Sequence, residues 1–338
     1  MLRHIKLFTA TALLSAGLAA APVSAQSTNL EAEFDRALGT QLRSPQSFDA
    51  VYDSSFERRI AQLADGDHGR IGVAAIDLST GEEISVLGDQ LFPMASTSKI
   101  AVAATYLEMV EKGKYSLTSE FPLLIPIRSA KFSSQRAPVR KGEYMPAIDL
   151  IELMITRSSN SATDALLAAV GGPEKVNEWV HRNGIKEFSI DRDIATLVRD
   201  DGEHDPAAYI DRRDAATPQA MLELLQGLYQ GKYLTAESRR VILGAMSRTR
   251  TGKRRIKGMM PMNAQVSHKT GSLHNTSSDI GFVEAPDGRT IAVAIYVTGQ
   301  GTRSAREERI ATIARALYDG FASRARSAQK DDERRSGG

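Results

Sequence analysis

The sequence predicts an α/β (α+β) fold of two lobes, an antiparallel sheet flanked by helices with an all-α lobe inserted into it. Three observations lead there. Strand-like segments lie towards both chain ends, and chain ends that meet in one sheet imply a lobe built from both. The middle reads as successive helices. The chain left after export, roughly 310 residues, is long for one core and suits two lobes sharing a cleft. The expected boundaries are residues 56–90 and 248–322 for the α/β lobe and 91–247 for the all-α lobe. Residues 1–25 read as a signal, 26–55 as an N-terminal extension and 323–338 as a mobile tail.

In chain order, Arg3 and Lys6 precede an apolar and small-residue run from Leu7 to Ala21, and Val23-Ser24-Ala25 is a small-x-small cleavage site. The run is short for a membrane span, so export to the periplasm or medium is expected, with processing before Gln26. Segment 29–55 looks like an additional helix to which the sequence assigns no role. An apolar strand at 71–77, the turn Ser79-Thr80-Gly81 and a partner at 83–87 form a hairpin. Helices follow at 100–111, 148–156, 161–170, 173–183 and 218–230, the last two opened by a first-turn proline. Strands return at 265–268, 280–284 and 290–297, with Asp287-Gly288 as a tight turn. Ile310, Ile313, Ala314, Leu317 and Phe321 then make the apolar stripe of a helix at 306–321.

Composition excludes several functions. The chain holds 43 basic and 41 acidic residues, and residues 1–25 carry Arg3, Lys6 and no acid, so removing them brings the net charge to zero. Neither nucleic acid nor an anionic membrane is implied as partner. The basic stretch 248–257 (RTRTGKRRIK) reads as a solvated surface segment that also carries a contact to a substrate carboxylate. There is no cysteine, which rules out lipidation at a lipobox, disulfides and thiolate metal sites. His181, His204, His268 and His274 are scattered, no H-E-x-x-H occurs, and no metal or cofactor is expected.

Three short patterns carry chemistry: Ser96-Thr97-Ser98-Lys99, Ser158-Ser159-Asn160 and Lys269-Thr270-Gly271. Each alone is weak, since Ser327-Ala328-Gln329-Lys330 is also an S-x-x-K and Ser27-Thr28-Asn29 an S-x-N. Ser96 precedes an Ala-rich helix, whose free N–H groups and dipole favour developing negative charge. Lys99 is three residues on, hence on the same face, and a buried lysine of lowered pKa can take the serine proton. Ser158 and Asn160 point the same way if their link is extended, one as a proton shuttle and the other as a hydrogen-bond partner for a substrate amide. A capping loop would use the same residue types. Lys269 and Gly271 share a strand face, and glycine admits a ligand close to the backbone. Lys269 and Thr270 suit a carboxylate. The backbone N–H groups of Ser96 and Ser272 are candidates for an oxyanion hole. His268 is expected to pack or to meet solvent.

These residues in their contexts, Phe92-Pro93-Met94-Ala95-Ser96, Met154-Ile155-Thr156-Arg157-Ser158, Lys269-Thr270-Gly271-Ser272, Asp279-Ile280-Gly281 and Arg213-Asp214-Ala215-Ala216-Thr217-Pro218, resemble the class A β-lactamase family of penicillin-recognising serine hydrolases. The resemblance runs from about Arg58 to Phe321. It implies a β-lactamase/transpeptidase-like fold, with Ser96 as acylated nucleophile, Lys99 as its base or part of it, and Ser158 as proton relay. Asn160, Lys269, Thr270, Gly271 and Ser272 would then bind substrate. Two departures stand out. Ser159 replaces the aspartate usual in the middle motif, and the E-x-x-L-N pattern whose glutamate activates the deacylating water is missing. Counting forward from Arg192 puts Ile194 at that glutamate's position, while counting back from Asp214 puts Asp201 there, and Glu203 is a further candidate acid. The expected function is β-lactam hydrolysis. The alternatives are a D-Ala-D-Ala peptidase or other ester or amide hydrolase, and a slow-turnover covalent β-lactam binder or sensor. The expected partner is a small β-lactam or peptidoglycan-like substrate, met by a monomer without a membrane span after processing.

Overall fold

The computed structural model describes residues 54–336. The expected signal peptide and the helix expected at 29–55 fall outside them, save for the last two residues. Ser54 starts the first helix, α1 (Ser55–Leu63), with a reciprocal cap: its hydroxyl accepts from Glu57 N, and Glu57 Oε2 accepts from Ser54 N, both at 3.1 Å. The hairpin β1 (Ile71–Asp77) and β2 (Glu83–Val86) follows, and then the chain enters its central segment. That segment contains β3 (Phe92–Pro93), a 3-10 turn (Ala95–Ser98), α2 (Lys99–Glu111), β4 (Glu120–Pro126), β5 (Val139–Pro146), α3 (Ala147–Thr156) and α4 (Asn160–Val170). It continues with α5 (Pro173–Arg182), α6 (Ile194–Arg199), β6 (Ala215–Ala216), α7 (Pro218–Gln230) and α8 (Ala236–Ser247). A second 3-10 turn (Ile256–Met259) leads to β7 (Gln265–Leu273), β8 (Thr276–Glu284), β9 (Thr290–Thr298) and α9 (Arg303–Ser336).

The sheet joins the chain ends as expected. Its order is β2-β1-β9-β8-β7 with every neighbour antiparallel, and Ala74 pairs with Ala294 where the two ends meet. Period-2 alternation explains why it is buried on both sides. In β9, Ile291, Val293, Ile295 and Val297 enter one hydrophobic core with Phe56, Ile60 and the α9 residues Ile310, Leu317 and Phe321. Ala292, Ala294 and Tyr296 enter a second core with α2, α3, α4 and α7. Helix α2 is buried continuously from Lys99 to Leu107, which its run of alanines permits by letting neighbours approach closely.

Three features differ from expectation. The central segment is not all helical: β4 and β5 pair as a two-stranded ribbon, with a register shift between Pro122 and Leu124. Prolines at 122, 126 and 146 mask that ribbon in the sequence, because proline weakens any strand assignment. Helices α6 and α8 are additions, and β7 is longer than 265–268. Residues 323–336, expected as a tail, are helical as the last turns of α9. Among the described residues no helix is long and apolar enough to cross a membrane.

Candidate active site

Ser96 sits in the 3-10 turn between β3 and α2, held from both sides. Met94 N donates to Asp214 O at 3.0 Å, and Thr97 Oγ1 bonds Met94 O at 2.7 Å and the Tyr296 hydroxyl of β9 at 3.0 Å. Ala95 takes a left-handed φ of 49°, sterically disfavoured for any residue with a Cβ, and it turns the chain so that Ser96 alone between Met94 and Ile100 is only half-buried. The nucleophile candidate is therefore the opening in an otherwise closed segment.

Lys99, the first residue of α2, is fully buried. Its Nζ donates to Ser158 O and Asn160 Oδ1 at 2.8 Å each, and reaches Ser158 Oγ at 3.4 Å. Burial pushes this amine down to about 7, against the opposing pull of the Asp164 carboxylate. In the middle motif the link between Ser158 and Asn160 is close to extended, with Ser159 at φ −58° and ψ 120°, while Ser158 itself turns left-handed. Ser158 has a left-handed φ of 58°, and Ser159, not its neighbours, caps α4 by accepting from Ala162 N at 3.3 Å. The cap and the pair therefore coexist, and the left-handed Ser158 followed by the extended Ser159 link puts Ser158 and Asn160 on the same amine.

Lys269 on β7 reaches the same place from the sheet. Its Nζ donates to Ser158 Oγ at 2.9 Å and to Thr270 O at 2.8 Å. Burial, and then the Lys99 charge, hold it well below the usual lysine range. One hydroxyl thus stands between two amines. Thr270 Oγ1 bonds Thr251 Oγ1 at 2.7 Å. Gly271 is needed for packing within the protein: a Cβ there would lie 2.4 Å from Ser278 Oγ, 2.7 Å from Met94 O and 3.1 Å from Ala95 Cβ. The close approach that the sequence reserved for a ligand is made on this side by the Ser96 turn itself. Ser272 Oγ accepts from Arg255 Nη2 at 2.6 Å.

Arg255 corrects the reading of 248–257 as a solvated segment. It is buried, bonding Gly271 O at 2.7 Å, Ser278 O at 2.8 Å and Glu307, while Lys253, Arg254 and Lys257 remain exposed. His268 is packed away from the site candidates, its Nδ1 2.8 Å from Asp279 Oδ2.

The long loop between Arg192 and Asp214 is closed by a 2.6 Å ion pair between those two residues, with Asp214 Oδ1 also accepting from the N–H groups of Asp191 and Arg192. Ile194 is buried at the start of α6. The two acids offered by the sequence are engaged elsewhere: both Asp201 oxygens accept from His274 N at 2.8 and 2.9 Å, and Glu203 pairs with Arg213 at 2.7 Å. Sequence reasoning missed Asp164. This buried residue of α4 accepts from Ile194 N at 2.7 Å and Ala195 N at 2.9 Å, and burial pushes its carboxyl up to about 6. The available signal was an acid four residues after Asn160, on the apolar face of a helix.

With this geometry in view, comparisons place the chain among known proteins. A family model described as the β-lactamase enzyme family matches residues 55–321. A β-lactamase of Bacteroides uniformis is 30% identical, aligned over 79% of this chain and 91% of its own length. The β-lactamase CTX-M-4 of Salmonella typhimurium is 29% identical, over 79% and 90%. Among solved structures, a β-lactamase from Chitinophaga pinensis superimposes with a TM-score of 0.69 at 28% identity, covering 79% of this chain and all of that one. An ancestral class A β-lactamase gives 0.67 at 32% identity, over 79% of this chain and 100% of the other. The chain belongs to the class A β-lactamase family and is a serine hydrolase of that type.

Proposed function

We propose that the protein opens β-lactam rings through an acyl-enzyme on Ser96. The observation that carries this is Lys99: a buried amine, held near neutrality in its proton affinity, on the same helical face as a half-exposed serine. In the reaction Ser96 Oγ attacks the lactam carbonyl as its proton passes to the Lys99 amine. The oxyanion is held by the N–H groups of Ser96 and Ser272. When the C–N bond breaks, Ser158 Oγ passes its proton to the ring nitrogen and takes one from a neighbouring lysine, leaving an ester on Ser96. Lys269 and Thr270 hold the substrate carboxylate and Asn160 the side-chain amide. Ser96→Ala should abolish covalent labelling by a fluorescent penicillin, and labelling equal to that of the unaltered protein would refute the assignment. Export before Gln26 is part of the same proposal, supported by the sequence of residues 1–25.

One observation favours a second reading, slow release. Ile194 offers no carboxylate, and Asp201 and Glu203 are committed to His274 N and Arg213. Losing a water-activating base typically costs on the order of 10²–10⁴-fold in rate. A stopped-flow run with a chromogenic cephalosporin separates the two: sustained turnover supports the efficient hydrolase, and a one-equivalent burst supports the slow covalent binder.

A further inference from the structure

We propose that Asp164 is the charge partner of Lys99, a positioning residue that sets the pH range over which Ser96 is acylated while it holds the start of α6 in place. The inference deepens the Ser96 reading and rests on it. At Ile194, one of the two positions the sequence offers for the expected loop glutamate, the structure sets a carboxylate of α4 against the backbone. Ile194 contributes only its N–H, and that N–H ends on Asp164 Oδ1. Ala195 N ends on Oδ2.

Two donors on two oxygens call for a carboxyl group. An asparagine would present one oxygen to one donor and an NH₂ group to the other, leaving a buried N–H without an acceptor. That carboxyl, anionic above about pH 6, lies one helical turn from Asn160, whose Oδ1 takes a hydrogen from Lys99 Nζ at 2.8 Å. Asn160, which holds the Lys99 amine, and Asp164 are four residues apart on α4, and through that spacing each charge favours the ionised form of the other. The other charged groups facing the pair act against it. Asp193, the cap of α6, disfavours ionisation of Asp164. Lys269 on β7 carries like charge beside Lys99. Asp164 is thus the anion that favours the ammonium form of Lys99, and without it the amine gives up its proton at lower pH.

The test is the pH profile of Ser96 acylation by a chromogenic cephalosporin, for the unaltered protein and for Asp164→Asn. The acidic limb of the variant should move to lower pH by about 1 unit, the smaller end of what one opposite charge exerts. A residue that only tethers the loop would lower stability and leave the limb where it was, and that result overturns the inference. If Asp164→Asn does not fold, ¹³C-aspartate NMR of the unaltered protein reads the same coupling. The Asp164 resonance should show a second inflection as Lys99 titrates, absent in Lys99→Met, and a single inflection in both proteins refutes it. An unaltered protein that is not acylated at all refutes the Ser96 reading, whereas acylation with an unmoved limb refutes only the role of Asp164.

Discussion

Lowering the pH is the most direct perturbation of Lys99, and its effect follows from the environment of that amine. Burial disfavours the charged form, so the folded pKa falls from 10.5 to about 7 and the free amine predominates above that value. With an acidity of about 7, the fraction of free base is about one half at pH 7, one tenth at pH 6 and one hundredth at pH 5. If the amine is the base that takes the Ser96 proton, the second-order rate of acylation should fall about 50-fold from pH 7 to pH 5, approaching a tenfold loss per unit. A lysine with its ordinary acidity would keep rising with pH well into the alkaline range. The assay is stopped-flow acylation by a chromogenic cephalosporin at constant ionic strength, with circular dichroism confirming the fold at each pH. An acylation rate that does not change between pH 5 and pH 8, or one that climbs steadily to pH 10, would refute Lys99 as the base in the state the structure gives it.

Two further outcomes test the same geometry through stability. Lys99→Met should stabilise the fold while destroying activity, because the lowered folded pKa costs up to about 5 kcal/mol below neutrality, a penalty that fades as pH rises towards the unfolded value. Leaving Ser158 O and Asn160 Oδ1 without their donor offsets part of that, so a net gain of about 1–3 kcal/mol is expected in urea denaturation at pH 6, shrinking by pH 9; a variant less stable than its parent at pH 6 would contradict the buried-charge account. Gly271→Ala should cost about 2 kcal/mol and slow acylation more than tenfold, since the new methyl meets the Met94 carbonyl, which is backbone and moves only with the Ser96 turn. Denaturation and labelling rates measured together check this, and an alanine variant with native labelling would show that the turn accommodates the shift.

The parts of the fold that sequence foretold are those where one periodicity dominates. The β9 segment alternates between two cores and reads as a strand without ambiguity, and the α9 stripe from Ile310 to Phe321 is helical by spacing. The β4–β5 ribbon was hidden because prolines contradict its strand character, and only tertiary packing overrides that. At the site, the motifs named the residue types but not the backbone that aims them. Left-handed turns at Ala95 and Ser158, neither a glycine, have no local signature, since surrounding contacts impose them. Asp164 was obscure for a related reason: its partners are backbone N–H groups from a loop far along the chain, and sequence does not display backbone donors. Arg255 looked like one of several surface cations until the fold buried it against β7.

The position of β7 at the end of the sheet has a consequence for its free edge. An outermost strand usually offers a row of unpaired carbonyls on which another chain can grow a ribbon. Here the His268 carbonyl accepts from Thr249 Oγ1 at 2.7 Å and the Thr270 carbonyl from Lys269 Nζ at 2.8 Å. Gly271, one residue on, leaves no room for a side chain between the strand and the turn that leans on it. Two carbonyls of this outermost strand are thereby taken by side chains of the same molecule, and one of those side chains is Lys269. If Lys269 holds the substrate carboxylate as proposed, one side chain serves both the edge of the sheet and the substrate.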